Sequence, residues 1–182
     1  MTDAQLQYLV EKDVPSVEAV INLPDGNKVH FFGIHPKTPP PTENKTSLPR
    51  DAELIIVGKK AKSSNLPVII AGDLNDVAWS HTSRLFLRTS QLLDPRMGRG
   101  FFNTYHAGYQ IMRWPLDHLF VSGEFRIISM KRLAYFGSDH FPICAEVSLN
   151  PEIQADSDVE NLSKSDISEI NNKLHQQKYD ND

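Results

Sequence analysis

The sequence predicts a layered α/β sandwich, because strand-like and helical segments alternate along most of the chain. Two expected strands, at 17–23 and 28–34, flank Asp25-Gly26, a strong hairpin signal. The apolar run at 67–72 is too short for a helix and ends in Asp73, so it predicts a buried strand that delivers polar groups at its end.

Helices are expected on either side of that strand. Ser47 precedes Leu48-Pro49, so a helix should begin there after an extended, proline-rich loop at 36–49. Its inward side chains should be Leu54, Ile55, Val57 and Ala61. A second helix is expected at 82–93, with Leu85, Phe86, Leu92 and Leu93 facing inward. Strands at about 115–122, 125–134 and 140–149 complete the order.

Charge divides the chain of 182 residues into a domain at 1–150 and an acidic polar tail at 151–182. The tail has eight acidic and three basic residues, whereas the whole chain has a net charge of −4, so the domain is close to neutral. The tail either forms an amphipathic helix or is a solvated extension, and its few apolar residues favour the extension. The helix would bury Leu162, Ile167, Ile170 and Leu174.

Polar groups recur in three strand-like settings. Asp73 and Asn75 are two residues apart, so strand alternation predicts that they share a face. Leu116-Asp117-His118 and Gly137-Ser138-Asp139-His140 repeat this design downstream. An isolated Gly-Asp-x-Asn more often forms a turn with Asx hydrogen bonds. The recurrence in three places favours a site for a metal ion and a phosphate, with His118 on the opposite face as a packing residue.

These motifs, together with Gly33-Ile34-His35, give the chain a resemblance to the endonuclease/exonuclease/phosphatase superfamily. The resemblance covers residues 17–149 and corresponds to the second half of that family's domain, so the chain looks like a fragment or a shortened member. The Asn and metal-binding Glu of the family's first half have no counterpart upstream of His35. The implied fold is the family's α/β sandwich without its N-terminal half.

The chemistry expected of such a site is hydrolysis of a phosphate ester. Asp73 and Asp139 provide hard oxygen ligands, which suit Mg²⁺ or Mn²⁺. His140 is the expected general base, because imidazole titrates near neutral pH. By resemblance, Asp117 orients His140. Asn75 would donate its amide to the scissile phosphate, and His35 would be a second phosphate donor or a general acid.

Arginines supply further candidates for substrate contact. Arg96 and Arg99 flank Met97-Gly98 in a glycine-containing loop, where guanidinium groups could clamp a phosphate. For these two and for Arg113, phosphate contact and surface salt bridges are equally good interpretations. By resemblance, Thr104 and His106 are site neighbours.

We therefore expect a phosphodiesterase of the nuclease type, acting on a nucleic acid, a phospholipid headgroup or a small phosphoester. The near-neutral domain lacks the basic stripe of tight duplex binders. The alternative is a catalytically impaired fragment that serves as a ligand- or partner-binding module. An isolated half-domain would expose an apolar sheet face, so self-association is also expected.

Two features bear on location. A single cysteine, Cys144, makes no internal disulfide. The start lacks the pattern of a signal peptide, and no apolar run approaches the roughly 20 residues that span a bilayer. The default expectation is a cytoplasmic protein without a membrane span, which an upstream targeting or membrane segment would change.

Overall fold

The computed structural model describes residues 3–38, 47–109, 111–153 and 159–180. Most of the proline-rich loop, at 39–46, and part of the tail, at 154–158, lie outside the described residues. The element order alternates strands and helices and ends in a long helix. The elements are β1 (Asp3–Gln7), β2 (Ser16–Asn22), β3 (Lys28–Gly33), α1 (Leu48–Lys62), β4 (Val68–Asp73), α2 (His81–Ser90), β5 (Asp117–Val121), β6 (Phe125–Arg132), β7 (Ile143–Leu149) and α3 (Lys164–Asp180).

The strands form two sheets. Strands β1 to β5 lie in sequence order in one five-stranded sheet, and β6 pairs with β7 in a separate ribbon. Among the strand pairs of the described residues, only β3–β4 is parallel, and the other neighbours are antiparallel. A parallel pair needs a crossover connection, which α1 provides. The mixed sheet with helices confirms the predicted α/β class.

Helices α1 and α2 cover one face of the large sheet. The core between them contains Phe32, Ile34, Leu54, Val57, Ala61, Val68, Ile70, Leu74, Phe86, Leu92 and Phe120. The four residues expected on the inner side of α1 are all buried, but Leu54, Val57 and Ala61 belong to this core, whereas Ile55 packs against α3. Ser80 caps α2 by accepting a hydrogen bond from the Ser83 N–H.

The β6–β7 ribbon covers part of the opposite face. Here Val29, Val121 and Phe125 are buried, but their neighbours are only partly so. A space of about 330 Å³ lies between the two sheets, beside Phe31, Ile69 and Val147. The helical face of the sheet is therefore closed, whereas the ribbon face is incompletely covered.

The described end of the tail is helix α3, which packs on the outside of α1 and α2. Ile170 is buried with Ile55 and Leu85, and Leu162 and Leu174 pack beside them. Ile167, the fourth apolar residue of the expected helix face, is exposed. The small number of apolar residues in the tail had favoured a solvated extension. In the structure, ion pairs between α3 and the other helices supplement the apolar contacts.

Some element boundaries differ from expectation. Strand β1 was not anticipated, and α2 ends at Ser90 because Gln91 adopts a left-handed conformation and its N–H bonds to the Leu87 carbonyl. Leu92 and Leu93 thus follow the helix, and Leu93 bridges to Val121 of β5. Within the described residues, no helix is both long and apolar enough to cross a membrane.

Candidate active site

The candidate site lies at one edge of the five-stranded sheet. Strands β3 and β4 are parallel, so His35, just after β3, and Asp73, the last residue of β4, are at the same edge. Strand β5 is antiparallel to β4, and its first residue, Asp117, is the register partner of Asp73. The topology therefore brings together three side chains that are far apart in sequence.

Gly72 permits the close approach of β4 to the segment that carries His35. Its φ is +153°, and a Cβ atom at this position would lie 1.8 Å from the Ile34 carbonyl oxygen. No larger residue fits without moving the backbone. This close approach leaves His35 Nε2 3.8 Å from Asp73 Oδ2, although 70% of the His35 side chain remains exposed.

His140 joins the two carboxylates from the other side. Its Nδ1 lies 2.7 Å from Asp117 Oδ2, and its Nε2 lies 3.6 Å from Asp73 Oδ2. An ionised carboxylate only accepts, so the Nδ1–H donates to Asp117. In the neutral imidazole this arrangement leaves the Nε2 lone pair directed toward the cleft, as a general base requires.

Asp73 is the most enclosed of these groups, with 14% of its side chain exposed. Burial raises its pKa, against the lowering effect of the Asn75 N–H, and the nearby Asp117 carboxylate raises it further. His140 and His35 offset only part of this effect. A cation near Asp73 would stabilise its charged form.

Metal donors at the site are few. Among the described residues, no group of three or more His, Cys, Asp or Glu side chains is arranged to hold a metal ion. Asp139 is exposed, and its Oδ1 accepts a hydrogen bond of 3.4 Å from Ser138 Oγ. Binding of a cation by Asp73 and Asp139 therefore stays a prediction.

The position of Asn75 is set by a turn, and not by strand alternation as expected. Strand β4 ends at Asp73, and Asn75 has a φ of +50°, so strand alternation does not apply to it. The Asn75 N–H donates to Asp73 Oδ1 at 2.8 Å, which is an Asx turn. Its side-chain amide donates to the Pro36 carbonyl at 2.9 Å. Asp73 and Asn75 thus form the Asx turn that was the alternative interpretation of this motif, and they are at the same time the polar pair of the candidate site.

The segment at 104–107 holds the His140 loop in place. Thr104 accepts at its carbonyl from the Phe141 N–H, and the Ala107 N–H donates to the Asp139 carbonyl. Tyr105 forms a bridge with His140, and their ring centroids are 4.9 Å apart. Tyr105 lies between the expected site neighbours Thr104 and His106, and no motif in the sequence indicates its contact with His140.

Thr104 and His106 themselves make local contacts. Thr104 is fully buried, and its Oγ1 accepts from the Asp117 N–H at 3.4 Å. His106 Nδ1 accepts from the Gly108 N–H, and its ring lies against Tyr105 and Tyr109. For Thr104 these contacts indicate support beneath the site, rather than direct contact with a substrate.

Arg96 is not available to a substrate, contrary to the phosphate-clamp interpretation. It is 5% exposed, and it donates to both oxygens of Asp94 and to His118 Nδ1. His118 is buried on the opposite face from Asp117, as alternation predicts. Its Nε2 donates to the Asp76 carbonyl at 2.9 Å. The guanidinium is thus occupied in fixing His118.

Arg99 and Arg113 each donate to a main-chain carbonyl. Arg99 donates to the Pro95 carbonyl and lines a separate cleft beside β6. Arg113 donates to the Tyr109 carbonyl, and its guanidinium carbon lies 4.9 Å from the centroid of the Phe141 ring. These contacts leave other guanidinium N–H groups of Arg99 and Arg113 unused, so phosphate contact by the two side chains stays a prediction.

Comparison with known families identifies the fold. The model of the endonuclease/exonuclease/phosphatase family matches residues 1–140, which is most of the chain. The chain belongs to this family. Endonuclease/exonuclease/phosphatase proteins are hydrolases that act on phosphate esters. A comparison with curated proteins finds no match.

Solved structures of this family share the fold at low sequence identity. An endonuclease/exonuclease/phosphatase from Beutenbergia cavernae has a TM-score of 0.68 and 16% identity, over 81% of this chain and 45% of that one. The human Nocturnin catalytic domain with a bound sulfate anion has a TM-score of 0.64 and 14% identity, over 81% and 59%. D. rerio TDP2 complexed with a single-strand DNA product has a TM-score of 0.59 and 16% identity, over 80% and 67%. The chain thus spans about half the length of the first two.

Proposed function

We propose that this chain carries the site of a metal-dependent phosphoesterase, with phosphodiesterase activity of the nuclease type. The observation that carries the proposal is the alignment of His140 between Asp117 and Asp73, at 2.7 Å and 3.6 Å. A histidine that is oriented by one carboxylate and faces a second is suited to take a proton from an attacking water.

Each side chain has a separate task in this proposal. Asp117 fixes the ring and the tautomer of His140, and His140 Nε2 accepts the proton of the water. One N–H of the Asn75 amide is bound to the Pro36 carbonyl, so the other is the one that would donate to a phosphate oxygen. His35 is exposed and beside Asp73, where it would donate to the phosphate or protonate the leaving oxygen.

Asp73 and Asp139 would hold Mg²⁺ or Mn²⁺. The raised pKa of Asp73 supports this, because a carboxylate that is poorly compensated by its neighbours gains from a nearby cation. When bound, the cation would neutralise phosphate charge and lower the pKa of a coordinated water. Phosphate would be bound through the cation, because the carboxylates themselves repel it.

Two of the structural neighbours support a phosphate-ester substrate. The Nocturnin structure contains sulfate, a tetrahedral anion like phosphate, and the TDP2 structure contains a single-strand DNA product. A nucleic acid is the first substrate class we propose, followed by small phosphoesters and phospholipid headgroups. Because the domain is near neutral, we expect weak binding with little dependence on salt.

The test is an assay of hydrolysis with Mg²⁺ or Mn²⁺, using bis-p-nitrophenyl phosphate and single-stranded DNA. We expect Asp73→Ala and His140→Ala to remove the activity of the chain. His175→Ala, which changes an exposed histidine on α3, is the matched control and should behave as the parent. Equal rates in all four proteins would refute the proposal for this chain.

A second candidate is a ligand-binding module without turnover. It is favoured by the small number of metal donors among the described residues and by the share of the neighbours' length that the chain spans. The interpretation that the chain is the second half of a longer domain belongs with this candidate. Mn²⁺ that broadens the NMR signals of Asp73 and His140, without hydrolysis under any condition, would select it over the enzyme.

A further inference from the structure

Arg50, on the first turn of α1, contacts the backbone of the site. Its Nη1 donates to the Asn75 carbonyl at 2.8 Å and lies 3.5 Å from Asp76 Oδ1. Only 11% of the Arg50 side chain is exposed. A hydrogen bond from a charged donor at a partly buried position is among the stronger ones in proteins. Arg50 therefore restrains the peptide that follows Asn75.

Arg50 is in turn held by Asp51. The Nε and Nη2 groups of Arg50 donate to Asp51 Oδ1 at 3.1 Å and 2.9 Å. The other carboxylate oxygen, Oδ2, accepts from Ser47 Oγ at 3.0 Å and from Lys173 Nζ at 2.7 Å. Asp51 is buried, so its charge depends on both cations.

Lys173 belongs to α3, the helix formed by the polar tail. It completes a continuous chain of contacts that runs through Asp51 and Arg50 to the carbonyl of Asn75. An ion pair of Arg88 with Asp166 and a hydrogen bond between His81 and Glu169 hold the same helix against α2. The helix is thus fixed in position at several points, and one of them leads to the site.

The next residue, Asp76, is held by other side chains. His118 donates to the Asp76 carbonyl, and Asp76 Oδ2 accepts hydrogen bonds from Ser80 and Ser83 at the start of α2. The carbonyls of Asn75 and Asp76 are therefore restrained from two sides. Asn75 has a φ of +50°, in the left-handed region that asparagine tolerates better than most residues other than glycine, and these contacts fix the peptides on its carboxyl side.

We propose that Arg50 is a positioning residue for Asn75, and that helix α3 fixes Arg50 through Lys173 and Asp51. The catalytic part of this inference rests on the proposed function, because Asn75 is there the donor to phosphate. The structural part does not. Without Lys173, Asp51 Oδ2 no longer accepts a hydrogen bond from a lysine. The Arg50 guanidinium group then rotates toward that oxygen, and its Nη1 moves away from the Asn75 carbonyl.

The test compares three variants of the full chain by NMR. Lys173→Met removes the charge and keeps the length of the side chain, and Lys173→Arg restores a donor to Asp51. Lys178→Met changes an exposed lysine on the same helix and is the matched control. The two readouts are the side-chain amide signal of Asn75 and the hydrogen-exchange rate of its backbone N–H. Exchange of the Ile70 amide, in the centre of β4, reports the stability of the whole fold.

We expect Lys173→Met to shift the Asn75 side-chain signal and to speed exchange of the Asn75 N–H about tenfold, with Ile70 unchanged. Lys173→Arg should restore the parent values, and Lys178→Met should keep them. An unaltered Asn75, or an equal acceleration at Asn75 and Ile70, would overturn the proposal.

A kinetic readout follows where the chain hydrolyses bis-p-nitrophenyl phosphate. There Lys173→Met should lower kcat several-fold with little change in KM, since binding of the phosphate is kept while its orientation is lost. A change confined to KM would contradict the positioning role. Failure of the enzymatic proposal leaves the NMR test intact, so the two outcomes are distinguishable.

Discussion

The two faces of the five-stranded sheet differ in how completely they are covered. On the helical face, Leu54, Ile70 and Leu74 have no exposed surface, and ion pairs hold α3 over the helices. On the ribbon face, Ile69, Leu119 and Val147 are only partly buried beside a space of about 330 Å³. The sheet thus has a well-packed layer on one face and a layer that is partly open to solvent on the other.

This difference divides the candidate site. Asp73 and Asp117 lie on the large sheet, whose helical face is close-packed. His140 lies in the loop before β7 and is held mainly by main-chain contacts to 104–107 and by Asp117. We infer that the backbones of β4 and β5 keep their positions with the close-packed face, whereas the side chain of Asp117, which lines the space on the ribbon face, and the position of His140 depend on the less complete layer.

The largest expected effect is on the core of the helical face. Phe86, 1% exposed, packs against Phe120 with ring centroids 4.9 Å apart. We expect Phe86→Ala to lower the free energy of unfolding by about 3–5 kcal/mol, the cost of a truncated buried aromatic. Phe136, 69% exposed before β7, is the matched control, and Phe136→Ala should change stability by less than about 0.5 kcal/mol. If the two variants lost a similar free energy of unfolding in urea experiments, the two faces would not differ in how tightly they are packed.

The next effect concerns His118, which joins the sheet to the loop at Asp76. The Asp76 carbonyl only accepts and Arg96 only donates, so His118 is neutral with its proton on Nε2. Burial and the Arg96 charge lower its pKa from 6.5 to about 4. His118 therefore binds a proton at a higher pH in the unfolded chain than in the folded chain. The free energy of unfolding decreases as the pH falls from 6.5 toward 4.

His118→Gln tests this pH dependence, because glutamine supplies a donor and an acceptor but does not titrate. The parent should lose up to about 3 kcal/mol across this window, as linkage predicts for such a shift. The variant should show a correspondingly shallower slope in unfolding experiments at a series of pH values. Parallel pH profiles for the two proteins would mean that His118 is not the titrating group.

The well-packed layer is also the part that the sequence predicts best. Helix α1 and its buried residues follow from apolar spacing, and Asp73, Asp117 and His140 follow from motifs at strand ends. The burial prediction succeeds because burial repeats with the period of the element, and the three side chains come together because strand order places the strand ends at one edge.

Partners of charged groups could not be predicted in the same way. Arg96 lies in a glycine-containing loop that suggests phosphate, yet Asp94 and His118 occupy it. Arg50 gives no local signal of its contact with Asn75, which is 25 residues away. Which charge pairs with which depends on the tertiary arrangement. For the same reason the acidic tail appeared more solvated than α3 is, since its partners lie on α1 and α2.

A smaller effect is expected at Asp73, where function and stability conflict. Its pKa is raised by burial, so the ionised form at neutral pH costs stability that is recovered when the group is protonated. Asp73→Asn keeps an acceptor for the Asn75 N–H and removes the charge. We expect the free energy of unfolding to increase by about 0.5–2 kcal/mol at pH 7, and this gain to shrink as the pH falls through the raised pKa of Asp73, together with loss of Mn²⁺ binding. A destabilised variant would contradict this account.

The smallest expected change in stability concerns the open layer, and it tests whether that layer is an association surface. Ile128 on β6 is 60% exposed, and Leu6 on β1, at 65%, is an equally exposed control on the other sheet. Each residue changed to Lys should alter the free energy of unfolding by less than about 0.5 kcal/mol. We expect the parent to self-associate with rising concentration in sedimentation velocity, and Ile128→Lys to reduce this more than Leu6→Lys, because a charge opposes burial of an apolar face. A parent that stays monomeric throughout, or equal effects of the two substitutions, would mean that the ribbon is not the surface through which copies of the chain meet.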